Sequence, residues 1–160
     1  MYNINMQLKD KIIPAGMVLI ELRDAKTGKL KSSDLVKNTF VTAGKNSLAA
    51  GIMGTTSNNQ GIITYCALGT SAVAPALADT TLTTEIFRKL ISVRSVALNV
   101  ATFQTFFTTA EGNGTLREAG LFGDNATGVA DSGTLFSKLA INRTKSSSDT
   151  LTLSWAITIG

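Results

Sequence analysis

Histidine is absent from this 160-residue chain, and cysteine occurs once, as Cys66. Without an imidazole there is no Ser-His-Asp or Cys-His relay and no His-containing zinc site. A single thiol permits no intrachain disulfide. Cys66 lies in "IITYCALG", among strand formers, with no base beside it, so it is expected to be a buried, inert thiol packing as a small hydrophobe. One Trp and two Tyr leave few flat platforms for sugars. No stretch approaches the roughly 20 apolar residues of a membrane span, and "MYNINMQLKD" alternates instead of opening a signal peptide. The expectation is a soluble protein made in a cytoplasm.

Charge is scarce too, at 16% of residues against 44% apolar. The surface must be finished with Thr, Ser and Asn, and Thr suits the half-buried surface of a sheet. The length fits a single domain, residues 1–160, with a proper core. The net charge of +4 comes without a Lys/Arg run or interleaved aromatics, so it reads as a solvated lysine face and not as a nucleic-acid site. No nucleic-acid, membrane or small-molecule partner is expected.

Hydrophobic alternation dominates the chain. Tyr2, Ile4, Met6 and Leu8 share one face of a first strand. Pro14 and Gly16 then break the chain, making residues 1–16 a candidate exchanged N-terminal arm. "MVLIELRD" is a second strand, "DAKTGKL" a hairpin turn with Gly28 at positive φ, and the return strand runs toward Val36. The one convincing helix is "TAGKNSLAAGIMG", capped by Thr42, striped by Leu48, Ala49, Ile52 and Met53, and stopped at Gly54. "GIITYCALGT" reads as a buried strand and "SAVAPALADTTLTTE" as a connector. "IFRKLISVRSV" and "NVATFQTFFTTA" pair through a turn at Leu98-Asn99. "TLREAGLFG", "GTLFSKLAIN" and "TLTLSWAITIG" complete the set, the last with Leu151, Leu153, Trp155, Ile157 and Ile159 facing inward. About nine or ten strands and one short helix packed on the core describe an all-β, jelly-roll-like sandwich.

Chemistry-bearing motifs are few. "KTG" at Lys26–Gly28 has no S-x-x-K companion and reads as a turn, and no phosphate-binding loop is present. Asp124, Asn125 and Asp131 lie in a Gly-rich loop whose spacing fits no standard calcium site and does fit a turn. No metal, cofactor or catalytic residue is expected. Arg117 and Glu118 in "LREAGLFG" are adjacent opposite charges, but neighbours on a strand point to opposite faces. They read as a structural pair with separate partners: Arg88, Arg94 or Arg143 for Glu118, and Glu85 or Glu111 for Arg117.

Three co-linear stretches resemble small structural proteins of tailed-bacteriophage virions. They are "LVKNTFVTAGKNSLAAGIMG", "ITYCALGTSAVAPALADTTLTTEIFRK", and "LREAGLFG" followed by "GTLFSKLAINRTKSSSDTLTLSWAITIG". The resemblance implies a non-enzymatic tail, collar, fibre-anchor or baseplate subunit, assembled in the host bacterial cytoplasm and working by association with itself and other virion proteins. It brings no catalytic residues. The alternatives are a capsid decoration protein and a carbohydrate-binding β-sandwich that recognises a host surface.

Overall fold

The structure, a computed structural model, describes residues 14–53 and 60–160. The expected first strand, with Tyr2, Ile4, Met6 and Leu8, lies outside the described residues.

The described chain runs β1 (Pro14–Asp24), β2 (Leu30–Lys37), β3 (Thr39–Phe40), α1 (Thr42–Met53), β4 (Ile63–Gly69), β5 (Glu85–Leu90), β6 (Val93–Ala97), β7 (Val100–Phe107), β8 (Gly114–Gly123), β9 (Thr134–Lys145) and β10 (Asp149–Ile159). Two five-stranded antiparallel sheets form, in the orders β2-β1-β10-β7-β6 and β3-β9-β8-β4-β5. We call them sheet A and sheet B. Together they make an all-β sandwich. Hairpins (β1–β2, β4–β5, β6–β7, β8–β9) alternate with crossings between the sheets.

The core follows from alternation. Val18, Ile20 and Leu22 of β1 pair across to Trp155, Leu153 and Leu151 of β10, and all six are buried. They meet Leu116, Leu121, Phe136 and Leu139 from sheet B. Fully burying a side chain of this size stabilises by about 1.5–3 kcal/mol, so these two central strands dominate sheet A. Ile159 departs from the expected inward set: it is 42% exposed, at the end of β10.

Three other expectations are corrected. Pro14 and Gly16 do not break the chain; they open β1, paired with Ile159 and Ile157. Glycine is needed at 16 because a Cβ would lie 2.5 Å from Asn38 Oδ1 and 2.8 Å from the Ala156 carbonyl. "IFRKLISVRSV" is two strands in different sheets, since the chain crosses over at Ile91–Ser92; the Leu98–Asn99 turn does join β6 to β7. The helix cap is Val41, whose carbonyl accepts the Lys45 N–H at 3.2 Å, which places Thr42 in the first turn.

The helix lies on β9 in an unexpected orientation. Gly44 and Ser47 are buried, Leu48 is half-buried, Ala49 is exposed and Ile52 is 81% exposed. A Cβ at Gly44 would sit 2.5 Å from Phe136 Cα. The small-residue face therefore brings the helix close to the strand and turns part of the apolar stripe outward.

Candidate functional site

The residues singled out in "LREAGLFG" sit on β8, and the structure separates them. Arg117 is half-buried and donates to Asn142 Oδ1 at 2.5 Å. Glu118 is fully buried. Its Oε2 accepts the Thr83 N–H at 2.9 Å and its Oε1 the Thr84 N–H at 2.7 Å. Its cationic partner is Lys138 of β9, 3.1 Å away and 1% exposed, in place of the arginines expected. Lys138 Nζ also reaches Asp79 at 3.2 Å and donates to the Thr83 hydroxyl at 3.1 Å. One buried ion pair thus fastens both the middle and the end of the 70–84 connector to sheet B. Gly69 makes room for it, since a Cβ there would lie 2.6 Å from Glu118 Oε1.

A second buried pair repeats the device on the next loop. Arg88 and Glu85 meet at 2.5 Å with side chains 2% and 3% exposed. Arg88 stacks 4.3 Å over the Phe122 ring and donates to the Ser132 carbonyl and hydroxyl, both at 3.0 Å. The 124–133 loop is held this way, with Asp124 accepting the Gly61 N–H at 2.9 Å. Asp124, Asn125 and Asp131 all have positive φ, the turn conformation that Asn and Asp tolerate. No cluster of three or more potential metal-binding side chains occurs among the described residues. Beneath the two loops Leu82, Val41, Ala67, Phe122 and Leu135 form a second, smaller core. The outer face of sheet B is therefore covered by the protein's own loops.

Among the described residues, the outer face of sheet A has no such cover. Its cross-strand rows on β10, β7 and β6 read Thr152–Phe106, Ser154–Gln104–Val93 and Ala156–Thr102–Ser95, without a charged side chain. Met17, Leu19 and Leu35 continue the face onto β1 and β2, with Leu35 64% exposed. Its charges, Glu21, Arg23 and Lys37, lie on these last two strands. Five strands at about 4.8 Å spacing are about 24 Å wide, and the outward residues of β10 add about 27 Å of length.

A groove opens at the end of the sandwich where β1 begins and β10 finishes. It encloses about 310 Å³ and is lined by Pro14, Lys45, Leu48, Ala49, Ile52 and Ile159. Beside it, Asn99 N and O atoms clasp Ile159: the Ile159 N–H donates to the Asn99 carbonyl at 3.0 Å, and Asn99 Nδ2 donates back at 2.9 Å. Leu98, at the tip of that turn, has a φ of 53° and is 99% exposed. A leucine in a left-handed conformation carries backbone strain.

Between the sheets, Cys66 is completely buried, and that burial pushes its thiol up to about 12. No nucleophile emerges there. No helix among the described residues is long and apolar enough to cross a membrane.

Sequence reasoning missed Lys138, Asp79 and the Thr83–Thr84 amides. The available signal was the lone Lys inside the apolar run "GTLFSKLAIN". It also missed the small face made by Gly44 and Ser47, whose signal was their spacing of three. No family model, curated protein or solved structure matches this chain.

Proposed function

We propose that this protein is a non-enzymatic structural subunit of a tailed-bacteriophage virion, a tail, collar, fibre-anchor or baseplate component that works by associating with itself and with other virion proteins. The observation that carries the assembly reading is the outer face of sheet A, free of charge across three adjacent strands. Depletion of charge marks the centre of protein interfaces. Two such faces in contact would bury about 1,300 Å² in total, within the range of stable interfaces. The buried ion pairs support the same reading, because they keep the long loops fixed and the block rigid. The virion assignment rests on the three co-linear stretches. Two of them supply the anchoring residues: Glu85 and Arg88 from the second, Glu118 and Lys138 from the third.

Native mass spectrometry with sedimentation velocity tests the assembly, and antibody labelling of particles tests the location. A defined oligomer and labelled tails or collars are the expected results. A monomer that binds glycans would replace this reading with a carbohydrate-binding module. Label spread over capsids would replace it with a decoration protein.

A further inference from the structure

We infer that Asn113, at the entrance to β8, is a site of spontaneous deamidation, and that the carboxylate it forms becomes the ion-pair partner of the buried Lys145.

Asn113–Gly114 is the only Asn-Gly step in the chain. With no Cβ on the following residue, the main-chain nitrogen meets least hindrance in attacking the asparagine Cγ. The surroundings leave room for that ring to close. Among the described residues, a Cβ at Gly114 would find only Ile86 Cδ1 within contact, at 3.9 Å. Asn113 is exposed, so water reaches it.

Lys145 carries the rest of the argument. It ends β9, pairs in register with Gly114 and is 1% exposed. Its Nζ donates to Asn113 Oδ1 and to the Thr108 carbonyl, each at 2.7 Å. Both partners are neutral. The two carboxylates whose fields reach it are committed elsewhere, Glu111 to Lys89 at 2.7 Å and Asp149 to Lys31 at 2.5 Å. Burial holds the Lys145 ammonium below its ordinary value. A buried ammonium among neutral acceptors gains from a negative charge placed beside it.

The same contact polarises the reacting carbonyl. As the Gly114 nitrogen bonds to Cγ, charge develops on Oδ1, which Lys145 already faces. The Gly114 N–H proton passes through water to Nδ2, the Cγ–Nδ2 bond breaks, and ammonia leaves a succinimide. Water then adds at Cγ and the nitrogen–Cγ bond breaks, the nitrogen taking one proton from that water. The main chain is restored with aspartate at 113. Opening at the main-chain carbonyl gives isoaspartate instead, so activation at Oδ1 favours aspartate. The new carboxylate keeps the Lys145 contact and gives up only the Nδ2 bond to the Thr109 carbonyl, on the exposed side of the loop. Because ammonia is lost, the change runs one way, and it needs no enzyme.

The test uses full-length wild type, Asn113→Asp and Asn113→Gln, held at mildly alkaline pH and mapped by peptide mass spectrometry beside the urea-unfolded chain. The expected result is OH in place of NH2 at position 113 alone, absent from Asn113→Gln, with a larger aspartate share in the folded chain than in the unfolded one. In urea melts at neutral pH, Asn113→Asp should raise the folding equilibrium constant about fivefold, as a charge-assisted bond replaces a neutral one. A carboxyl facing an ammonium has its folded-state value lowered, so this gain is present above the ordinary carboxylate range and lost as pH falls through it. A folded chain left unmodified at 113 overturns the site, whether or not the unfolded chain converts. An Asn113→Asp variant no more stable than wild type overturns the ion pair. A product lighter by one ammonia, with Asn113 and Lys145 still joined after digestion, would mean that Lys145 attacked Cγ itself and overturns the route through Gly114.

Discussion

The two sheets treat their outer faces in opposite ways. Sheet B spends two loops, a small second core and two buried ion pairs on covering its own outer face. Sheet A presents a face of the same strand count that no described residue covers, dressed in Thr, Ser, Gln and isolated aliphatics, with its charges confined to β1 and β2. The difference separates what the chain needs for its own stability from what it leaves for contact. Substitutions behind sheet B should cost folding free energy, and substitutions on the face of sheet A should cost association.

The largest effect is expected at Glu118. Glu118→Ala leaves the buried Lys138 ammonium with only the partly exposed Asp79 as counter-charge and frees two backbone N–H groups, which should cost about 3–5 kcal/mol in a urea melt. Glu118→Gln keeps one acceptor oxygen for a connector N–H and should be milder. If both variants melt like wild type, the connector is not held by this pair and the contrast between the sheets collapses.

Next comes Gly44. Alanine gains about 1 kcal/mol of helix propensity, but its Cβ would meet the Phe136 backbone at 2.5 Å. Overpacking should win, with a net loss of about 1–3 kcal/mol. A stabilised variant would mean that the helix can move away from β9 at little cost.

Sheet A has its own staple, away from the open face. Lys31 of β2 meets the buried Asp149 of β10 at 2.5 Å, and this contact with hydrogen bonds from Ser146 holds the Asp149 carboxyl down at about 2, from 3.8. A folded-state value below the unfolded one adds stability above the unfolded value, and that stability is lost as pH falls. Urea melts should therefore show a loss as pH drops from about 4 to about 2. Asp149→Asn should flatten that part of the slope; an unchanged slope would assign it to other carboxylates.

The smallest effect is expected at Cys66, whose thiol is held protonated at neutral pH and sealed between the sheets. A neutral alkylating reagent should leave it untouched in the native protein and label it fully in denaturant. Rapid native labelling would show that the sheets open readily.

The sandwich was largely legible in the sequence because alternation reports burial directly. "TLTLSWAITIG" gave four of its five inward residues correctly, and only Ile159, at the strand's end, lies beyond the opposing sheet. The helix was legible in extent and not in orientation. Periodicity finds an apolar stripe, but close approach to Phe136 is a steric property of the adjoining, glycine-bearing face. The site was least legible. Lys138 and Glu118 are brought together by strand pairing with register shifts on β8, and Thr83 and Thr84 contribute backbone amides, which no residue pattern advertises.

The most direct test of that division is sedimentation velocity on Thr152→Lys beside wild type, with a melt on each. Thr152 sits on the central strand of sheet A's open face, between Glu21 and Phe106, so a lysine there costs folding little and places a charge inside any contact made by that face. The expected result is an unchanged melt, within about 0.5 kcal/mol, with a smaller native mass than wild type. A variant that assembles like wild type, or one that unfolds, would contradict the division between a covered sheet that stabilises and an open sheet that binds.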